Sequence, residues 1–197
     1  MELNNTNYED MLLNHHLPPF TNYKDLSNNG IRIISEASGN YIYDNNGNKI
    51  LDAMAGLWCV NIGYGRHQLA EVAKEQMLKL SYYNSFFKTN NVEAAKLSQK
   101  LSQITPDGLN HSFFANSGSE ANDTIIRMVR HYWNLEGQPN KRIIIGREYG
   151  YHGSTIMSAS MGGMVDMHNQ SAKEKDFHHI PAPYAFKYKG NQSTDLF

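Results

Sequence analysis

The amino-acid sequence predicts an α/β fold, and three features predict it. A short apolar run at residues 111–115 leads through a Ser/Gly loop into a long helical pattern closed by Gly137. A second, β-branched run at 142–145 opens onto another loop and another helix. Strand, helix, strand in that order calls for parallel pairing through right-handed crossovers. Near the amino terminus, two alternating runs flank Asn46-Gly47, which adds a β-hairpin outside the parallel sheet.

Taken in order, residues 1–30 read as an entry segment with one short helix around 8–13, ended before Pro18-Pro19. Residues 31–35 and 40–43 are strand-like, and Asn46-Gly47 supplies a left-handed turn that folds 41–43 onto 49–52. From 66 to 80, Leu69, Val72, Ala73, Met77 and Leu80 recur at three- and four-residue spacing, which places them on one helix face. Residues 91–104 repeat the pattern through Ala94, Ala95, Leu97, Leu101 and Ile104, with Pro106 as a stop. After the Ser/Gly loop, Ala121, Ile125, Met128, Val129 and Trp133 share a face. A Ser/Met-rich helix runs to about Met161, and residues 179–182 begin a third strand. A parallel sheet normally has its faces and edges covered, so an end at Phe197 after at most three such strands reads as premature.

Composition narrows the function. With 40% hydrophobic, 11% aromatic and 19% charged residues, the 197-residue chain has material for a core and too little charge for disorder. A formal charge of -1 with scattered Lys and Arg argues against nucleic-acid binding. Cys59 is the only cysteine, so no intrachain disulfide forms, and a cytoplasmic location fits. The first twenty residues hold no signal-peptide core, and no run of about 18 apolar residues is present to span a membrane. The adjacent histidines His15-His16 and His178-His179 lack nearby cysteine or acidic ligands and make poor metal sites.

The segment Asn116-Ser117-Gly118-Ser119-Glu120 is the most informative. Small residues opening a helix leave backbone N–H groups unpaired at its positive end, where a dianion binds well. Gly118 permits close approach, and the hydroxyls of Ser117 and Ser119 add donors. On its own, however, the segment reads more readily as a capping box, with Ser117 as cap and Glu120 returning the bond. No Gly-x-x-x-x-Gly-Lys-Ser/Thr is present, and Gly63-Tyr64-Gly65 lacks the third glycine of a dinucleotide fingerprint. The balance shifts with Tyr151-His152-Gly153-Ser154-Thr155 after the next strand. Loops that follow neighbouring parallel strands emerge on one sheet edge, so an aromatic face would sit beside a phosphate held at Gly118 and Ser119. Pyridoxal phosphate is a flat heteroaromatic phosphate of that kind.

At this point the sequence resembles the class III, fold-type I, pyridoxal-phosphate aminotransferases, in particular the omega-transaminase or omega-amino acid–pyruvate group. The resemblance rests on five strings: Leu51-Asp52-Ala53-Met54-Ala55-Gly56-Leu57-Trp58-Cys59-Val60-Asn61, Gly63-Tyr64-Gly65-Arg66, Tyr83-Asn84-Ser85-Phe86-Phe87-Lys88, Asn116 to Glu120, and Gly150-Tyr151-His152-Gly153-Ser154-Thr155. It implies a partial fold-type I transferase, with residues 1–60 contributing to the small domain and substrate pocket and 61–197 forming the first part of the large cofactor-binding domain.

The resemblance also implies roles. Ser117, Gly118 and Ser119 hold the cofactor phosphate, Tyr151 lies against the pyridine ring and His152 sits beside it. Trp58 and Phe20 line the substrate pocket, and Tyr83, Phe86 and Phe87 belong to a segment that reaches the neighbouring subunit of a homodimer. Asp166 stands where relatives can carry an aromatic, so substrate preference is expected to differ. The reaction would move an amino group from an amine or omega-amino acid to a keto acid such as pyruvate. It needs a lysine that bonds the cofactor and a carboxylate against the pyridine nitrogen. In the family both lie beyond the phosphate loop, as does the arginine for the acceptor's carboxylate. None of the lysines from Lys24 to Lys189 stands in the family's context. No catalytic residue is therefore expected within this chain, which reads as an amino-terminal portion, inactive alone. The rival reading is a non-catalytic remnant that binds a phosphate ligand or a partner.

Overall fold

The computed structural model describes residues 7–171 and 173–184; Lys189 lies outside them. The chain divides between Thr89 and Asn90 into two compact units.

The first unit opens with two short helices, α1 (Tyr8–His15) and α2 (Tyr23–Asn29), each capped by an asparagine side chain, Asn7 and Asn22. The second was not anticipated. Three antiparallel strands follow in sequence order: β1 (Ile34–Ser38), β2 (Tyr41–Asp44) and β3 (Lys49–Leu51). The expected hairpin forms, with Tyr41 opposite Leu51 and Tyr43 opposite Lys49. Its loop is longer than an Asn-Gly turn, and only Gly47 takes a positive φ. The loop is organised by Asp44, which is buried and accepts from the backbone N–H of Asn46 (3.0 Å) and Asn48 (2.9 Å) and from the Asn48 side chain (2.9 Å). The Asn48 bonds, side chain first, hold the Asp44 carboxyl below the ordinary aspartate range. Strand β1 starts three residues later than expected, because its register is counted from the Gly39-Asn40 turn, where Ser38 faces Tyr41, with a bulge between Ile34 and Glu36. A four-residue helical segment, α3 (Ala55–Trp58), and the helix α4 (His67–Leu80) complete the unit.

The second unit contains α5 (Val92–Ile104), α6 (Gly118–Leu135), β4 (Ile144–Arg147), α7 (Ile156–Met161), α8 (Val165–Ser171) and β5 (Phe177–Ile180). Strands β4 and β5 pair in parallel, Ile144 with Phe177 through Arg147 with Ile180. That confirms the parallel pairing, although each strand lies two residues from its expected position, and α8 was not foreseen. Residues 111–115 are not a strand: no described strand pairs with them, and a strand without a ladder partner leaves its backbone groups unsatisfied. The core of this unit is small and sits where α6, α7 and β5 meet, at Ile126, Ala159 and Phe177. The packed face of α6 is therefore the one bearing Ile126. The expected apolar face is largely outward, with Ile125, Met128 and Val129 exposed. The reason is polar: Asn122 and Asp123, on the Ile126 side, are bonded to the loop that follows β4.

Candidate functional site

The helix α6 begins where the loop of small residues predicts. Ser117 is its cap, extended at φ -151°, and its Oγ accepts from the Glu120 N–H at 3.1 Å. Glu120 returns a carboxylate oxygen to the Asn116 N–H at 2.9 Å. The capping box is thus real, shifted by one residue from the usual reciprocal pair. It does not exclude the anion reading, since it consumes the donors of Asn116 and Glu120 only. The N–H groups of Gly118 and Ser119, in the first turn, have no acceptor within the helix. A Cβ added at Gly118 would meet nothing beyond its own turn of the helix within 4 Å, so the space beside that residue is open.

The loop 148–155 comes to this helix end. The Ser154 N–H donates to Ser119 Oγ at 3.0 Å, and the Asn122 side-chain amide donates to the His152 carbonyl at 2.6 Å. Two further bonds run to Asp123 Oδ1, from the Thr155 hydroxyl at 2.7 Å and from the Ser158 N–H at 3.0 Å. The last one caps α7 from a different helix, since Thr155 makes no capping bond with its own side chain. Gly153 lies in the seam at φ 137°, where a side chain would collide with both Ser119 Oγ and Ser158 Oγ. Of the expected cofactor residues, the structure thus brings Ser117, Gly118 and Ser119 together with the loop carrying Tyr151 and His152, whose side chains are both exposed. Sequence reasoning passed over Asn122 and Asp123. Their signal was available: polar residues three and four positions from Ser119 share its face of the helix.

The expected pocket aromatics all belong to the first unit. Phe20, Trp58, Tyr83, Phe86 and Phe87 are exposed, Trp58 at 76% and Phe87 at 94%, and the rings of Phe86 and Phe87 stand 6.1 Å apart. Three of the five have a left-handed backbone: Phe20 (φ 50°), Trp58 (φ 66°) and Phe87 (φ 56°). For bulky residues this conformation costs about 1–2 kcal/mol each, and such strain collects at functional positions. Trp58 closes a run of four, since Ala55, Gly56 and Leu57 are also positive, at 48°, 59° and 59°. At the head of that run, Asp52 Oδ2 accepts from the Gly56 N–H and from the Tyr64 hydroxyl, each at 2.7 Å. The Tyr64 bond, helped by the Gly56 N–H, holds the Asp52 carboxyl below its ordinary range, and the same bond raises the Tyr64 phenol. Asp166, in α8, is exposed. Among the described residues no group of three or more His, Cys, Asp or Glu could hold a metal ion, and no helix is long and apolar enough to cross a membrane.

Comparison with known proteins identifies the family. The aminotransferase class-III family matches residues 23–196. The putrescine–pyruvate aminotransferase of Pseudomonas aeruginosa is 53% identical over 188 residues, covering 93% of this chain and 40% of that protein. Among solved structures, an (S)-enantioselective omega-transaminase from Thermomicrobium roseum superposes with a TM-score of 0.91 at 33% identity, over 96% of this chain and 42% of that one. The omega transaminase of Pseudomonas jessenii, solved in complex with PMP, gives a TM-score of 0.91 at 32% identity, over 94% and 41%. The chain spans about two-fifths of the length of these relatives. With the family matched over residues 23–196, the chain belongs to the class-III aminotransferases.

Proposed function

We propose that this chain supplies the phosphate-and-ring side of a pyridoxal 5'-phosphate site in an omega-transaminase. The observation that carries the reading is the Ser119–Ser154 bond, which joins the two loops that would flank such a cofactor, while the space a side chain at Gly118 would fill is open. The donor set suits a phosphate dianion: two backbone N–H groups at a helix start and the hydroxyls of Ser117 and Ser119, each of which already accepts one bond and keeps its own proton to donate. Tyr151 would cover a face of the ring, and His152 would stand beside it. When bound, the cofactor supplies the carbon that carries the amino group and the ring that accepts electrons. The protein's part here is to bind and orient it.

Phe20, Trp58, Tyr83, Phe86 and Phe87 are assigned to the substrate pocket, which in the complete enzyme is shared across a homodimer. Residues 1–60 belong, in this reading, to the small-domain and pocket part, and 61–197 to the first part of the large domain. The 53% identity to a putrescine–pyruvate enzyme favours a diamine or omega-amino donor with pyruvate as acceptor; the single cysteine suits a reducing cytoplasm. The lysine that bonds the cofactor and the carboxylate for its ring nitrogen belong to the length of the relatives that this chain does not span.

Titration with pyridoxamine 5'-phosphate, which has the ring and the phosphate but forms no bond to lysine, tests the binding part. Saturable one-to-one binding is expected, with pyridoxamine lacking the phosphate at least about tenfold weaker, as the loss of a few charge-assisted hydrogen bonds requires. Equal affinity for both compounds, or none for either, would count against the phosphate cradle.

A further inference from the structure

The segment that presents Trp58 is a left-handed helical turn built mostly from residues that avoid that conformation. Ala55, Gly56, Leu57 and Trp58 have positive φ in succession, and only one of them is glycine. The turn is closed by its own bonds, from the Trp58 N–H to the Met54 carbonyl at 2.8 Å and from the Val60 N–H to the Ala55 carbonyl at 2.9 Å. L-residues do not hold such a run unaided, because each Cβ crowds the neighbouring carbonyl oxygen. Something outside the turn must select it.

Two residues outside the turn are placed to do so. Asp52 follows β3 directly, and its backbone N–H donates to the Asn40 carbonyl at 3.0 Å, which anchors it to the hairpin. Its Oδ2 receives the Gly56 N–H, in the middle of the turn, and the Tyr64 hydroxyl, both at 2.7 Å. Tyr64 is anchored in turn by its backbone N–H on the Gly39 carbonyl at 2.8 Å. One carboxyl oxygen therefore ties the strained turn to two points of the Gly39-Asn40 turn that joins β1 and β2. A Cβ at Gly56 would stand 3.1 Å from the Tyr64 hydroxyl and 2.9 Å from Val60 Cγ2, so the single glycine sits where the latch leaves no room for a side chain.

We propose that Asp52 and Tyr64 are positioning residues, a latch that holds residues 55–58 left-handed and so fixes where the Trp58 indole stands. Its importance for substrate choice rests on the assignment of Trp58 to the substrate pocket. The latch itself does not, and it is tested without cofactor or substrate.

The test is solution NMR of the 197-residue chain with three substitutions. Near φ +60° an amide proton lies closer to its own Hα than at negative φ, so Leu57 and Trp58 should show strong intraresidue amide-to-Hα cross-peaks. Tyr64→Phe, which removes only a hydroxyl, and Asp52→Ala are expected to lose those cross-peaks while amides of β2 and β3 keep their shifts. Asp52→Asn keeps an acceptor oxygen and is expected to retain them. Should Asp52→Ala fail to fold, Tyr64→Phe carries the comparison alone. Unchanged cross-peaks in Tyr64→Phe, or loss accompanied by collapse of the hairpin signals, would overturn the latch. Failure of pyridoxamine 5'-phosphate to bind is a separate result that bears on the cofactor reading and leaves these spectra unaffected.

Discussion

Replacing Gly118 by valine is expected to abolish binding of pyridoxamine 5'-phosphate while leaving the helix that Gly118 opens intact. A side chain there projects into space that no protein atom occupies, beside the N–H groups of Gly118 and Ser119. Denying a phosphate two charge-assisted hydrogen bonds of about 1.5–3 kcal/mol each lowers affinity by about a hundredfold or more. The fold should not suffer. Gly118 has no positive φ to preserve, the cap at Ser117 is independent of its side chain, and removing a glycine lowers the entropy of the unfolded chain. The two effects separate the readings of this loop: a helix cap alone predicts unchanged or higher stability and nothing further. Titration and thermal melting of the same variant measure both, and unaltered ligand affinity would return the loop to its capping role.

Gly153→Ala is expected to act on both stability and binding. At φ 137° an L-residue is strained whatever its surroundings, and here the added carbon overlaps Ser119 Oγ on one side and Ser158 Oγ on the other. The two loops must part, which breaks the Ser154–Ser119 bond and pulls Ser158 from Asp123. Strain and overpacking together place the cost at about 2–4 kcal/mol. Urea unfolding should show a loss of unfolding free energy of that size through a lower midpoint, accompanied by weaker binding of the phosphorylated ligand. A variant with wild-type stability would mean the seam is looser than described, and the case for joined loops would weaken with it.

How much of this was legible in the sequence depends on what kind of force sets each feature. Helices α4 and α5 fall within one residue of their expected limits because their signals are local: apolar spacing, a cap at Asn91 whose side chain accepts from the Ala94 N–H, and a proline after the last turn. Strand limits are set by a partner, so β1, β4 and β5 slid by two or three residues, and the run at 111–115 found no described partner. Apolar periodicity identifies a face that can be buried, not the element that buries it. Leu69, Val72 and Met77 of α4, and Ile125 and Met128 of α6, remain exposed here.

At the site, the start of α6 at the Ser/Gly loop and the loop after β4 were readable because small polar residues cap helices and a β-branched run marks a strand. Their joining was not readable in detail. The bonds of Asn122 and Asp123 cross about thirty residues of sequence, and no local pattern announces them. The left-handed turn at 55–58 is the clearest omission. Its one glycine predicts a single left-handed residue, whereas Ala55, Leu57 and Trp58 share the conformation in a turn bonded at its Gly56 N–H to Asp52, which also accepts from Tyr64.

In the proposed site the chain holds the phosphate and the ring, and no lysine among the described residues is assigned to bond the cofactor. Borohydride reduction of the chain with saturating pyridoxal 5'-phosphate, followed by peptide mapping, tests it most directly. Ligand retained noncovalently is expected, with at most scattered, substoichiometric labelling of exposed lysines. One lysine labelled in a one-to-one ratio, and protected from labelling by pyridoxamine 5'-phosphate, would contradict it.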